Sequence, residues 1–420
     1  MIEALAQSWK KTASTPLVRG FVAYSASELA TKATRLIAVI ALARMLSPAE
    51  VGLVAGAMAV AELLKAFTEN GIVQKIIAAR ADEVEAVART GRRIFTLWCV
   101  GLFLLQIAIA YGVFIWNGQT AGPVVIALMA GEYLFMPAGI VQCALAMREG
   151  RLSGTAAVAG AQNVAANLFL AVLVVIWPSP LSVAVSRLAT APIWLVGMRH
   201  LRPWSARPGV RPASSAPFVR FGSSILGIEF LKVLRLQADK LIVGALMGPE
   251  VLGIYFFAVN AGLGIANSFS VAFSTVLFPQ LCNSEKRGET MRNALTMAIG
   301  VLFPIICLQA LAAPIYVPIV FGEKWAEMAP LVSILCFAAL PAVIWSAAAQ
   351  WLRSANRAEV ELTYSAVIAT VITAGIVIAA PYGLATVCWT ILAASIAAQI
   401  IASTAVLRGP FITPQLQLER

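Results

Sequence analysis

Twelve long apolar stretches follow one another along this chain, at about residues 21–43, 50–69, 94–116, 122–146, 153–176, 179–197, 221–246, 251–279, 292–313, 328–351, 362–380 and 383–407. A bilayer core about 30 Å thick takes roughly 20 helical residues per crossing. Backbone amides in hydrocarbon must be satisfied within the chain, so stretches of this kind cross as helices. The expected fold is therefore an all-α integral membrane protein with twelve transmembrane helices. Composition agrees, since 60% of the 420 residues are apolar and only 12% are charged, well away from ordinary soluble domains. Residues 1–20 are mostly polar and lack a small-residue cleavage site, so a cleaved signal peptide is not expected there. "MIEALAQSWKK" reads either as a short interfacial helix, with Ile2, Leu5 and Trp9 on one side, or as a frayed terminus.

The basic residues orient these spans. With the N-terminus inside, 22 of the Lys and Arg residues fall in inner segments and two, Arg44 and Lys324, in outer ones. Such a bias places both termini in the cytoplasm. The net charge of +11 is then mostly an orientation signal, and no nucleic-acid partner is expected. Trp116, Trp177 and Trp325 at outer ends, and Trp204 and Trp351 at inner ones, are expected in interfacial belts. Cys99, Cys143, Cys282, Cys307, Cys336 and Cys388 form no metal-binding spacing, and His200 is the single histidine. A zinc centre or a histidine-based triad is hard to build from that inventory, and no cofactor is expected.

The chain turns one corner twice. "MLSPAEVGL" (45–53) and "LMGPEVLGI" (246–254) align without gaps, which sets Ser47, Pro48 and Gly52 against Gly248, Pro249 and Gly253. A second echo pairs "MPAGIVQCALAMREGR" (136–151) with "LPAVIWSAAAQWLRSANR" (340–357). Two echoes in matching order suggest a duplicated six-helix lobe in a parallel repeat. The expected organisation is an N-terminal lobe at 1–198, a cytoplasmic linker rich in Arg, Pro and Ser at 199–217 acting as a hinge, and a C-terminal lobe at 218–420. Pro137, Pro192, Pro304 and Pro341 are expected to kink or break their spans.

Seven cations and six acids fall inside spans: Lys32, Arg35, Lys65, Arg187, Lys232, Arg235 and Lys240, with Glu28, Glu62, Glu69, Glu132, Glu229 and Asp239. Each costs about 2.5–3.5 kcal/mol at a helix centre. Glu28, Lys32 and Arg35 recur at helical spacing on the first span, Glu62, Lys65 and Glu69 on the second, and Glu229, Lys232, Arg235 and Asp239 share a broad face of the seventh. Two readings stand. The groups are internal ion pairs that hold helices together, or they line a wet, cationic central cavity suited to an anionic substrate. In the second reading the seven cations bind substrate, while the carboxylates Glu28, Glu62, Glu132, Glu229 and Asp239 either pair with them or bind Na⁺ or H⁺ for coupling.

Residues 41–77, "RLQADKLIVGALMGPEVLGIYFFA" (235–258), "STVLFPQL" (274–281) and "PIYVPIVFGEKWAEMAPLVSIL" (314–335) together resemble the polysaccharide transporters, the Wzx-type oligosaccharide flippases of the multidrug/oligosaccharidyl-lipid/polysaccharide (MOP) exporter superfamily. The resemblance implies a two-lobed, V-shaped transporter in a bacterial inner (plasma) membrane. It would move a polyprenyl-pyrophosphate-linked oligosaccharide, of the undecaprenyl type, to the outer leaflet by alternating access. Its partners would be that lipid-linked oligosaccharide, membrane lipids and a polysaccharide polymerase complex, and Lys32, Arg35, Lys232 and Arg235 would hold the pyrophosphate. A multidrug efflux antiporter of the same superfamily is the nearest alternative, but it should carry an acid-rich cavity. A membrane polysaccharide polymerase or ligase would need a large outer loop with catalytic groups, and the longest outer turn, around "FGEKWAEMA", is short. The chain is accordingly read as a transporter and not an enzyme.

Overall fold

The computed structural model describes residues 16–206, 209 and 211–412, and the expected interfacial segment at the N-terminus lies outside them. Among the described residues the chain is helical, with no strand. It divides into two compact units, Met1–Gln237 and Ala238–Arg420. The first holds α1 (Pro16–Met45), α2 (Pro48–Lys65), α3 (Ile72–Ala78), α4 (Val84–Asn117), α5 (Ala121–Ala130), α6 (Glu132–Phe135), α7 (Ile140–Arg148), α8 (Leu152–Ile176), α9 (Leu181–Leu201) and most of α10 (Ala216–Met247). The second takes the end of α10, then α11 (Pro249–Asn283), α12 (Arg287–Phe321), α13 (Ala329–Phe337), α14 (Ala339–Ser354), α15 (Ala358–Ala379) and α16 (Leu384–Ile412).

Ten helical stretches among the described residues are long and apolar enough to cross a membrane. Two more long helices, α1 with 30 residues and α10 with 32, stand where the first and seventh spans are expected. They fall outside the ten because they carry the charge clusters of those spans. The expected count of twelve crossings therefore rests on two helices that length and composition alone leave out.

Three expected spans are not single helices. The second ends at Lys65, turns through a short 3-10 segment (Ala66–Thr68) and resumes as α3. Side chains satisfy the backbone freed at this break: Thr68 Oγ1 donates to the Lys65 carbonyl and Trp98 Nε1 to the Phe67 carbonyl, both at 2.7 Å. The fourth breaks at Gly131 and again at Met136–Ala138, around Pro137. The tenth breaks at Ala338, three residues before Pro341. Pro192 and Pro304, by contrast, sit inside uninterrupted helices; one missing hydrogen bond leaves the rest of a long ladder intact.

Both echoes of the sequence reappear as backbone geometry. Each SPAEVGL-like corner starts a helix with Pro at its first position, but the caps differ. At α2, Ser47 Oγ accepts from the Glu50 amide while the Glu50 carboxylate accepts from the Ser47 amide at 2.8 Å, a complete capping box. At α11 the cap is Gly248, which offers no side chain and sits at φ 87°, ψ 172°, a conformation closed to other residues. The second pair of corners closes α7 and α14 in the same way. The Arg151 amide donates back to the Ala146 carbonyl at 2.9 Å and the Arg357 amide to the Leu352 carbonyl at 2.8 Å. The left-handed residue is Gly150 in one and Asn356 in the other, the two residue types this helix ending favours.

Each unit has its own core. In the first, Phe95, Tyr133, Val141 and Phe218 pack with Ile72 and Ile76; in the second, Leu277, Leu281, Met291, Leu302 and Trp345 cluster together. Trp325, expected in the outer belt, is instead 1% exposed. The turn Glu323–Met328 folds it inward, edge-on to Phe257 with ring centroids 4.6 Å apart. Trp116 and Trp177 are exposed as expected. The expected hinge segment is fastened to the first unit: Thr90 Oγ1 donates to the Ala213 carbonyl at 2.8 Å, Trp204 Nε1 to Glu85 at 3.0 Å, and Arg202 to Glu149 at 2.6 Å.

The two corners should fail for different reasons. Ser47→Ala removes one cap and should cost about 1 kcal/mol, whereas Gly248→Ala forces a strained backbone and should cost roughly 1–3 kcal/mol. Denaturant titration of the purified protein in detergent would measure both, and equal costs would refute the distinction.

Candidate functional site

The expected polar stripe on the second span is shorter than its spacing suggests, because the helix ends at Lys65 and Glu69 lies exposed beyond the 3-10 turn. What remains of it joins a four-residue ion network. Arg187 on α9 donates through both terminal nitrogens to Glu62 Oε1 on α2, each at 3.1 Å. Its Nη1 also lies 3.9 Å from Glu132 Oε1 on α6, and Lys65 Nζ lies 3.5 Å from Glu132 Oε2. Two cations and two carboxylates from three helices thus neutralise one another. At about 1.5 Å per residue, Glu62, Glu132 and Arg187 lie roughly 21, 16 and 9 Å from the starts of their apolar stretches, inside the expected hydrocarbon layer.

On α1 the balance is different. Lys32 and Arg35 are exposed, and neither makes an ion pair among the described residues; Arg35 lies within electrostatic reach of Glu62. The helix packs along α8 more extensively than any other helix pair in the chain. The link beside the two cations is Asn167 of α8, whose side-chain nitrogen donates to the Thr31 carbonyl and to Thr34 Oγ1, both at 3.2 Å. The side chains of Glu28 and Arg235 lie outside the described residues.

The remaining predicted residues sit along α10. Lys232 pairs with Glu229 one turn away at 3.0 Å, still within the first unit. In the second unit, Asp239 receives the Tyr255 hydroxyl at 2.8 Å, with Lys240 at 3.4 Å on its other oxygen. Of the seven predicted substrate cations, Lys65, Arg187, Lys232 and Lys240 therefore have carboxylate neighbours within 4 Å, as the ion-pair reading expects.

Three contributors were not assigned to the site from sequence. Asn167 and Tyr255 are neutral, although an amide in the middle of an apolar stretch is itself a signal. Arg148 was counted only for orientation. Its guanidinium donates to the carbonyls of Ile76, Ile77 and Ala79, the last two at 2.6 and 2.5 Å, and so caps the C-terminal end of α3.

Comparison with known proteins gives one family and one fold. The family described as "Polysaccharide biosynthesis protein" matches residues 41–330. Lipopolysaccharide biosynthesis protein WzxC of Escherichia coli (strain K12) is 23% identical over 314 residues, 73% of this chain and 63% of that protein. The chain spans less than about two thirds of the length of each curated relative it matches. Among solved structures, lipid II flippase MurJ in its inward closed conformation aligns with a TM-score of 0.74 at 11% identity, over 94% of this chain and 90% of that one. An inward-facing multidrug resistance MATE family transporter of the MOP superfamily aligns with a TM-score of 0.69 at 13% identity, over 91% and 96%. At these identities the likeness is one of fold alone.

Paired and unpaired cations should respond differently to removal. Arg187→Met leaves Glu62 without its partner and should cost about 3–5 kcal/mol, much of it recovered in Arg187→Met/Glu62→Gln. Lys32→Ala/Arg35→Ala should change stability by less than about 0.5 kcal/mol. Unfolding curves in detergent would test this, and a strongly destabilised α1 double variant would place those cations in the structural set.

Proposed function

The chain belongs to the polysaccharide biosynthesis protein family, and we propose that it is a flippase carrying a polyprenyl-pyrophosphate-linked oligosaccharide from the cytoplasmic to the outer leaflet of a bacterial inner membrane. One observation carries this reading. Four of the intramembrane cations have carboxylate neighbours, but Lys32 and Arg35 have no ion pair among the described residues and stand exposed on a helix of membrane length. Ammonium and guanidinium groups without an ion pair at that depth are costly in lipid. They become favourable when they face water and receive phosphate oxygens.

In this reading Lys32 and Arg35 engage the pyrophosphate. Lys232, Arg235 and Lys240 of α10 supply a second set of cations, and the polyprenyl chain stays in the bilayer. Alternating access moves the head group, with no covalent bond changed, and the delivered unit passes to a polymerase. The surplus of basic residues in the expected inner segments supports placing both termini in the cytoplasm. Lys65 and Arg187 serve chiefly to balance Glu62 and Glu132. Coupling to a Na⁺ or H⁺ gradient would draw on the carboxylates Glu28, Glu62, Glu132, Glu229 and Asp239, and collapsing each gradient separately in vesicles would identify the ion.

Deletion in the native host should cause lipid-linked oligosaccharide to accumulate and surface polysaccharide to disappear. Wild type should restore both, while Lys32→Ala/Arg35→Ala should restore export at least tenfold more slowly despite normal abundance in the membrane. Normal lipid-linked pools together with altered sensitivity to cationic drugs would overturn the flippase reading in favour of drug efflux.

A further inference from the structure

Helix α4 is longer than a membrane needs. Its 34 residues span about 51 Å at 1.5 Å per residue, against about 30 Å of hydrocarbon. The exposed residues Leu97, Val100, Leu104, Tyr111 and Ile115 fall within about 60° of one another around the helix, and Arg93, also exposed, begins the same stripe. The opposite side, with Phe95, Cys99, Leu102 and Gln106, is buried. From Arg93 to Ile115 the stripe covers about 33 Å, one hydrocarbon thickness. The stripe therefore faces lipid, and Arg93 marks the level at which α4 leaves the hydrocarbon on the expected inner side.

Arg93 does not stand alone at that level. Arg89 lies one turn below it on the same side, half-buried. Arg92, exposed beside them, holds its guanidinium over the Trp204 ring of the linker, 5.7 Å from the centroid. Like charges one turn apart repel, and the one acid of α4, Glu85, is two turns from Arg93 and already accepts from Trp204 Nε1 at 3.0 Å. Arg93 has neither an ion pair nor a hydrogen bond among the described residues. Three guanidinium groups within residues 89–93 thus make a local excess of positive charge at the rim of a lipid-facing surface.

We infer that Arg89 and Arg93 bind the phosphate of an anionic phospholipid of the inner leaflet, whose acyl chains lie along Leu97, Val100 and Leu104. The fit is one of length and charge. Leu104 is about 17 Å from Arg93 along the helix, half the hydrocarbon thickness and so the reach of one leaflet. Gly101 flanks the stripe, and a Cβ placed there would meet nothing within 4 Å, which leaves a shallow trough for a chain. The guanidinium groups take a phosphate diester through charge-assisted hydrogen bonds, for which the ammonium of a zwitterionic lipid competes. By relieving the repulsion on Arg92, the lipid also steadies the linker that Trp204 anchors. The site uses none of the residues assigned to the substrate.

Native mass spectrometry tests this, with the full-length protein in nonionic detergent titrated with phosphatidylglycerol, phosphatidylcholine of the same acyl chains, and undecaprenyl pyrophosphate. Near an anionic headgroup each arginine contributes about fivefold in affinity. Wild type should therefore hold phosphatidylglycerol roughly twentyfold more tightly than phosphatidylcholine, and Arg89→Gln/Arg93→Gln should bind the two alike. Arg287→Gln/Arg292→Gln, which removes the same charge from an expected inner segment of the second unit, should keep the wild-type preference. Elution as wild type on size exclusion shows that each variant is folded. Should the Arg89/Arg93 variant fail there, Arg93→Gln alone, which loses no bond, should cut the preference about fivefold. An equal loss in the Arg287/Arg292 variant would reveal a general effect of charge and overturn the site, as would an unchanged preference in Arg89→Gln/Arg93→Gln. Undecaprenyl pyrophosphate held more tightly than phosphatidylglycerol, with that advantage lost in Arg89→Gln/Arg93→Gln, would reassign the cluster to the transported lipid and overturn it as a phospholipid site.

Discussion

Hydrocarbon offers no hydrogen bonds and little dielectric, and the arrangement of this chain follows from how it meets that constraint. At two helix ends a side chain takes up what the backbone loses: Trp98 and Thr68 at the end of α2, Arg148 at the end of α3. Most charges in the spans are cancelled where they stand, as Arg187 cancels Glu62. Among the described residues, the span cations left without an ion pair are Lys32 and Arg35 of α1. The polar economy of the fold is what makes these groups conspicuous.

Much of the fold was legible because its main variable, the length of apolar sequence, is local. The corners were legible too, since proline and glycine act on their own backbone, and both repeated pairs returned as helix ends of related geometry. The breaks within spans were less so. A run of apolar residues looks the same whether its helix is continuous or interrupted at Gly131 or Ala338, and the outcome depends on neighbours that can satisfy the freed groups. Trp325 shows the same limit: its place beside Phe257 is tertiary, and nothing in "FGEKWAEMA" marks it as buried.

The charged residues of the site were visible from helical spacing, but their grouping was not. Glu62 and Arg187 are 125 positions apart, and spacing along one helix gives no hint of a partner on another. Periodicity favoured Glu69 as a member of the second stripe until a 3-10 turn removed it. Neutral amides went unremarked because a search for charge passes over them, although Asn167 joins α8 to α1 at Thr31 and Thr34. Intramembrane carboxamides merit the same attention as intramembrane ions.

The boundary between the two units falls inside α10, and this has a bearing on how the chain is made. Phe218, in the first turn of α10, packs in the core of the first unit, and the backbone of Gly222 comes so close to the Asn70 carbonyl that an added Cβ would sit 2.8 Å from it. A ribosome that has delivered all of α9 has therefore not yet supplied what the first unit needs to close. During that interval the break at Thr68–Gly71 waits for a helix still in the exit tunnel or the translocon, and the nascent first half depends on its successor. Synthesis and assembly are thereby staggered by about one helix, so that a truncated message ending near residue 200 would yield a membrane-inserted but unsealed fragment rather than a finished lobe.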